Sequence, residues 1–182
     1  MSALLKPLTL EEFLEWERSL EQRYEFDGIL PVAMTGGRRP HSLIATRLAA
    51  APVFQVKPPC EAHGPELKVI TTGRVGYPDA SVVCDGTSDD DTVKPRDDTV
   101  KPRAVFEVVS PSTALTDRRV KAIEYAAVPS ILVYVLLEQD RPEMTVRRRS
   151  TGWEAEQLVG LHATLDLPEG VSIPLAIIYD AA

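Results

Sequence analysis

Residues 104–109 read Ala-Val-Phe-Glu-Val-Val, an apolar, β-branched run with one acid, Glu107, inside it. Such a run, short and bounded by turn residues, reads as a buried strand. A carboxylate there must be paired or bind a metal, because burying its charge alone is prohibitive. A second acid, Asp79, follows Pro78 at the mouth of Asp-Ala-Ser-Val-Val-Cys, another apolar run. Two acids on neighbouring strands repel unless a cation lies between them, and hard oxygen donors with room for water suit Mg2+ or Mn2+. The bland account pairs Glu107 with a core arginine and lets Asp79 begin a turn. Spacing alone leaves both accounts open.

The other segments supply the partners of that strand. Thr9 and Glu12 form a capping-box pattern that opens a helix with a stripe of Leu10, Phe13, Leu14 and Leu20. Two short apolar runs around Asp27-Gly28 predict a β-hairpin, Tyr24 to Phe26 against Ile29 to Met34. A helix is expected from His41 to about Ala51, stopped by Pro52, and strands at 67–71 and 77–84. After Glu107, Ser110 to Thr113 breaks the run, and Thr116 opens a helix to about Ala127. Ile131 to Leu137 is the most apolar strand, and Met144 to Arg149 with Trp153 to Val159 makes an antiparallel pair. Helices and strands in that order predict α+β, a mixed β-sheet flanked by helices in a single domain over 1–182. Residues 1–40 form its N-terminal helix and hairpin extension.

Between those elements, 85–103 is polar and contains an exact tandem repeat, Asp-Asp-Thr-Val-Lys-Pro-Arg, at 90–96 and 97–103. One heptad copied once cannot build a solenoid, so the stretch reads as a duplication within a solvent loop. Arg147-Arg148-Arg149 reads as a solvated strand edge rather than a DNA-binding stripe. Cys60, His63 and Cys84 lack the tight spacing of a zinc site and read as ordinary residues.

Charge and cysteine count narrow the functional classes. A formal charge of −7 argues against non-specific coating of nucleic acid, where phosphate neutralisation supplies the affinity. It leaves room for an enzyme that meets DNA through divalent cations and a local basic group. No apolar stretch approaches the ~20 residues that cross a bilayer, the N-terminus lacks a signal-peptide layout, and two cysteines are too few for a disulfide framework. A cytoplasmic protein with no membrane partner is expected.

Only six lysines are present, and Lys121 is the one on the helix expected after the Glu107 strand. It lies one helical turn after Asp117 and one before Tyr125. Either it forms a surface pair with Asp117, worth a few tenths of a kcal/mol, or its helix packs on the Glu107 strand and delivers an ammonium to a reacting phosphate.

Tyr77-Pro78-Asp79, the segment Phe106 to Thr113, and Asp117, Lys121 and Tyr125 together resemble the Uma-two putative restriction endonuclease family of the PD-(D/E)xK nuclease superfamily. Tyr24-Glu25, Asp27-Gly28, His41, Leu67 to Val69, Pro129-Ser130, Tyr134 to Leu136 and Gln139 to Arg141 extend the likeness over nearly the whole chain. The resemblance implies a restriction endonuclease-like core: a helix, a three-strand meander, a helix and a further strand. It makes Asp79 and Glu107 the metal ligands, with the Val108 carbonyl completing the shell. The superfamily's lysine, two residues after the second acid, is Val109 here, and the matching family position is Lys121. Glu25, His41 and Asp117 are secondary candidates. The implied activity is Mg2+- or Mn2+-dependent hydrolysis of DNA, by a homodimer if the superfamily analogy extends to assembly. An RNase is a rival, as is a catalytically vestigial nuclease fold kept as a binding or scaffold module.

Overall fold

The computed structural model describes residues 6–34, 37–53, 55–84, 100–110 and 116–180. Helix α1 (Leu10–Arg18) starts at the expected cap. The Thr9 side chain accepts from the Glu12 N–H at 3.2 Å and the Glu12 carboxylate accepts from the Thr9 N–H at 2.7 Å. These bonds to Thr9 hold the Glu12 carboxyl below its usual range. Strands β1 (Tyr24–Phe26) and β2 (Pro31–Ala33) form the expected hairpin. The second strand is shorter than expected because Asp27 Oδ1 accepts from the Ile29 and Leu30 N–H groups at 2.8 and 2.7 Å, committing those residues to the turn. Gly28 has φ +92°, a region that a side chain would strain.

Helix α2 (Arg39–Val53) begins before His41, since Pro40 in the first turn gives up no helical hydrogen bond, and it ends one residue past Pro52. Strand β3 (Glu61–His63) is a short strand not foreseen. Where one strand was expected at 67–71, β4 (Val69–Ile70) and β5 (Val75–Gly76) make a tight hairpin. That hairpin joins the first one in a sheet of order β2-β1-β5-β4.

The main sheet adds β6 (Ala80–Val83), β7 (Pro102–Val108), β8 (Val133–Leu137), β9 (Glu143–Arg148) and β10 (Ala155–Val159), in the order β10-β9-β8-β7-β6-β3. Among the described strands, only β7 and β8 run parallel. A parallel neighbour needs a long crossover, and residues 116–127 belong to it. They form a π-helical turn (Thr116–Lys121) continued by α3 (Ala122–Ala127), rather than the uniform α-helix expected. The hairpin of β11 (Thr164–Asp166) and β12 (Ser172–Pro174), with α4 (Leu175–Tyr179), closes the other face. The sequence reading had no elements there. The outcome is the expected α+β mixed sheet with an N-terminal extension.

Strand alternation divides β7 between two cores. Ala104, Phe106 and Val108 pack with Ile44 and Leu48 of α2 and Ile178 of α4. Val105 and Val109 pack on the opposite face with Tyr125, Tyr134 and Leu136. Glu107 belongs to this second set, under α3. A third cluster, Phe13, Phe26, Val75 and Tyr77, fastens the extension, with the Phe13 and Phe26 rings stacked at 4.7 Å.

Three further expectations change. The first heptad copy and residues 97–99 lie outside the described residues, but Pro102 and Arg103 of the second copy already belong to β7, so the expected loop is too long by two residues. Arg147 and Arg148 are not on a solvated edge: β9 is covered by β8 on one side and β10 on the other. Arg147 and Arg148 donate to the carbonyls of Trp153 and Asp166, each at 2.8 Å. Arg149 donates to those of Ile131, Ala126 and Val128 at 2.7 to 3.0 Å. Finally, Cys60 and Cys84, flanking the paired strands β3 and β6, are joined by a disulfide. Two cysteines that make no framework still make one bond once strand pairing brings them together.

Candidate active site

Glu107 is buried on the α3 face of β7, where alternation puts it, with its side chain 7 % exposed. Its Oε1 accepts from the Lys121 ammonium at 2.9 Å and from the Tyr125 hydroxyl at 2.9 Å. The described partners thus include a lysine and a tyrosine, where the bland account expected a core arginine. Lys121 and Tyr125 sit one helical turn apart, so one face of the crossover presents both. Lys121, 15 % exposed, also lies 3.3 Å from Glu25 Oε1 on β1. A surface lysine is therefore not what the fold makes of it. The side chain of Asp117 lies outside the described residues.

The β6–β7 register pairs Ala80 with Phe106, and Asp79 is the bend residue that leads into β6 beside this pair. Asp79 Oδ2 accepts the Val108 N–H at 2.7 Å and lies 3.4 Å from His41 Nε2 on α2. A Cβ at Gly37 would come within 2.8 Å of His41 Nδ1, so glycine there makes room for the imidazole. Of the site residues inferred from sequence, Glu25, Glu107 and Lys121 meet directly, as do His41, Asp79 and Val108. Val108, next to Glu107 in β7, links the two groups through its bond to Asp79.

The donor set can be tested against a divalent cation. Among the described residues, no three His, Cys, Asp or Glu side chains converge on a metal-sized point. What the strands offer is the pair of carboxylates and the Val108 carbonyl. The described contacts of Asp79 fall on Oδ2, and the donors from Lys121 and Tyr125 fall on Oε1 of Glu107. Few, hard oxygen donors fit Mg2+, which keeps several waters and is rarely caged by protein alone. In donor type these residues suit the ion.

Beside the acids, a groove of about 430 Å3 is lined by residues that include Glu25, Arg74, Gly76, Lys121, Glu124 and Tyr125. It runs between strands β1 and β5 and the crossover helix. Glu124 pairs with Arg74 at 2.8 Å. Burial raises its pKa, against the pull of Arg74 and Lys121 and with a push from Glu25.

Sequence reasoning missed two features here. Tyr125 enters the sequence analysis by its spacing from Lys121 and as part of the family resemblance, with no role of its own, though that spacing of four already puts both on one face. Glu17 was not noted at all: it lies inside α1, yet its carboxylate pairs with Lys68 at 2.8 Å and accepts the Tyr77 hydroxyl at 2.7 Å, all buried. No local pattern marks α1 as packing on the chain that leads to Asp79.

The model of the Uma2 family, described as "Putative restriction endonuclease", matches residues 10–177. The chain belongs to the Uma2 family. A relative from Synechocystis sp., "Uncharacterized protein slr1290", is 31 % identical over 188 aligned residues, covering 98 % of this chain and 93 % of the relative. The fold of this Uma2 protein is also similar to a crystal structure from Anabaena variabilis, described as a putative nuclease belonging to DUF820. The TM-score is 0.77 at 19 % identity, with 95 % of this chain and 98 % of that one covered. At that identity the likeness concerns the fold, and it agrees with the restriction endonuclease-like architecture that the resemblance implied. No described helix of this Uma2 protein is long and apolar enough to cross a membrane.

Proposed function

We propose that this Uma2 protein is a metal-dependent endonuclease that hydrolyses DNA phosphodiester bonds. The observation that carries the proposal is the convergence of Lys121 on a buried Glu107 whose neighbour in β7, Val108, donates its N–H to Asp79. Asp79, Glu107 and the Val108 carbonyl would hold Mg2+ or Mn2+. The chemistry supplied by such a cation is polarisation of a phosphoryl oxygen and a lowered pKa for an attacking water. Lys121 holds its ammonium beside the carboxylates, where negative charge develops on the phosphoryl group, and stabilises it in a site of restricted solvent. His41, against Asp79, keeps that carboxylate turned to the Val108 amide. The net charge of −7 is no obstacle to a site whose attraction for phosphate is local.

On this reading the protein would act in the cytoplasm, where the Cys60–Cys84 bond would meet reducing conditions. Cutting both strands of a duplex would call for a homodimer, which sedimentation measures. Calorimetric titration with Mn2+ and nicking of supercoiled plasmid test the core of the proposal. The native protein is expected to bind Mn2+ and nick DNA, and Asp79→Asn and Glu107→Gln to lose both. Mn2+ affinity retained in both variants sinks the ligand assignment. No binding by the native protein favours the vestigial scaffold, and faster cleavage of RNA than DNA overturns the substrate class.

A further inference from the structure

The hydroxyl of Tyr125 has no part in the proposal above, yet it is among the most constrained groups of the molecule. Its ring is 2 % exposed and packs edge-on against Tyr134 of β8 with centroids 5.0 Å apart. The hydroxyl donates to Glu107 Oε1, the same oxygen that receives the Lys121 ammonium. On its far side lies Gly76 of β5. A Cβ at that position would stand 3.3 Å from the Tyr125 oxygen and 3.7 Å from Glu25 Oε1. A contact of 3.3 Å is tighter than an alanine methyl ordinarily makes, so the absence of a side chain lets the small sheet close over the hydroxyl.

We propose that Tyr125 is a positioning residue for Glu107, holding the carboxylate plane through Oε1 so that its approach to a divalent cation is set before the cation arrives. The inference rests on the reading of Asp79 and Glu107 as metal ligands. Carboxylate ligands act best when a neighbouring donor fixes their orientation, and losing such a donor weakens metal binding by about 10- to 100-fold. Lys121 alone cannot do this. An ammonium on a flexible four-carbon stem is a point charge that follows the carboxylate as it turns, whereas the hydroxyl is carried by a ring locked between β8 and β5. Gly76 acts through Tyr125, by leaving its hydroxyl the space to reach Glu107.

The test is Mn2+ titration of three proteins with melting curves alongside. Tyr125→Phe keeps the ring and its packing on Tyr134 and removes only the oxygen. It is expected to fold with a melting temperature close to native and to bind Mn2+ about tenfold more weakly or worse. Gly76→Ala keeps the hydroxyl but crowds it, and is expected to shift affinity in the same direction. In the nicking assay the half-saturating Mn2+ concentration of Tyr125→Phe should rise, and excess Mn2+ should restore most of the rate, which a purely structural tyrosine would not produce. Mn2+ affinity within twofold of native in Tyr125→Phe overturns the role of Tyr125 and leaves the ligand assignment standing. Absence of Mn2+ binding in the native protein overturns the ligand assignment, and the role of Tyr125 with it.

Discussion

Replacing Lys121 by methionine separates the two accounts of that residue by stability alone. As a surface partner, Lys121 would contribute about 0.5 kcal/mol at most. In the structure it faces Glu107, whose side chain is 7 % exposed, and it is itself 15 % exposed. Removing one member of a fully buried ion pair costs about 3–5 kcal/mol, because the other charge stays behind without its counter-ion. Two features reduce that here. The Tyr125 hydroxyl still donates to Glu107 Oε1, worth about 1.5 kcal/mol or more as a hydrogen bond to a charged group, and methionine fills the volume of the lysine stem. A loss of about 2–3 kcal/mol is therefore expected at neutral pH without added metal. Urea denaturation measures it, provided that the slope of the transition stays at its native value, which shows that the two end states are unchanged. The double variant Lys121→Met/Glu107→Gln is the control. With the charge gone from position 107, the lysine keeps only the more exposed Glu25 carboxylate as a described counter-ion, and a large part of the loss should return as a coupling energy between the two sites. A loss below about 0.5 kcal/mol for Lys121→Met, or no coupling in the double variant, would refute the argument.

Further outcomes follow from other contacts. In cleavage, Lys121→Met should lose about a hundredfold in rate, the usual cost of one preorganised electrostatic group, and Lys121→Arg should recover little of it, since a planar fork does not reproduce a compact ammonium; native rates in Lys121→Met would remove the lysine from the mechanism. Glu124 has a folded pKa raised chiefly by burial, so its contribution to stability is full below its unfolded pKa and is lost as pH rises through the folded value; Glu124→Gln should flatten the fall in stability between about pH 4 and pH 7, measured by urea titration at both ends. Arg149→Ala removes three hydrogen bonds to carbonyls and a guanidinium 5.1 Å from the Trp153 ring centre, and a loss of about 2 kcal/mol in the same assay is expected where a solvated edge would show none. Deleting 97–103 should leave stability native within error: the remaining copy at 90–96 ends in the same Pro-Arg, which then enters β7 in place of Pro102 and Arg103. A change of several kcal/mol would show that the extra heptad packs against the protein.

How far the fold could be read depended on the range over which each signal acts. The Thr9–Glu12 cap, the Asp27-Gly28 hairpin and the strand around Glu107 were legible because capping, turn conformation and alternation act over a few residues. The same alternation made Glu107 anomalous, and so marked it before any fold was known. Elements whose stability comes from packing left no such trace. The strands at 61–63, 164–166 and 172–174 are each three residues long, too short for a period to show, and α4 is held by the core it covers. Arg147 and Arg148 looked like an edge because nothing in a run of arginines says which strand lies beside it; β10 decided that. Cys60 and Cys84, 24 residues apart, became a pair only through the β3–β6 register. For the site, sequence alone named the acids and the lysine, while the fold decided what they do to one another. Whether Lys121 meets Asp117 in water or Glu107 in the core depends on how the crossover packs on β7, and that packing is a sum of contacts among residues far apart in the chain. Sequence spacing determines what a residue can reach along its own element; only the neighbouring elements determine the solvent, the partners and hence the charge it meets there.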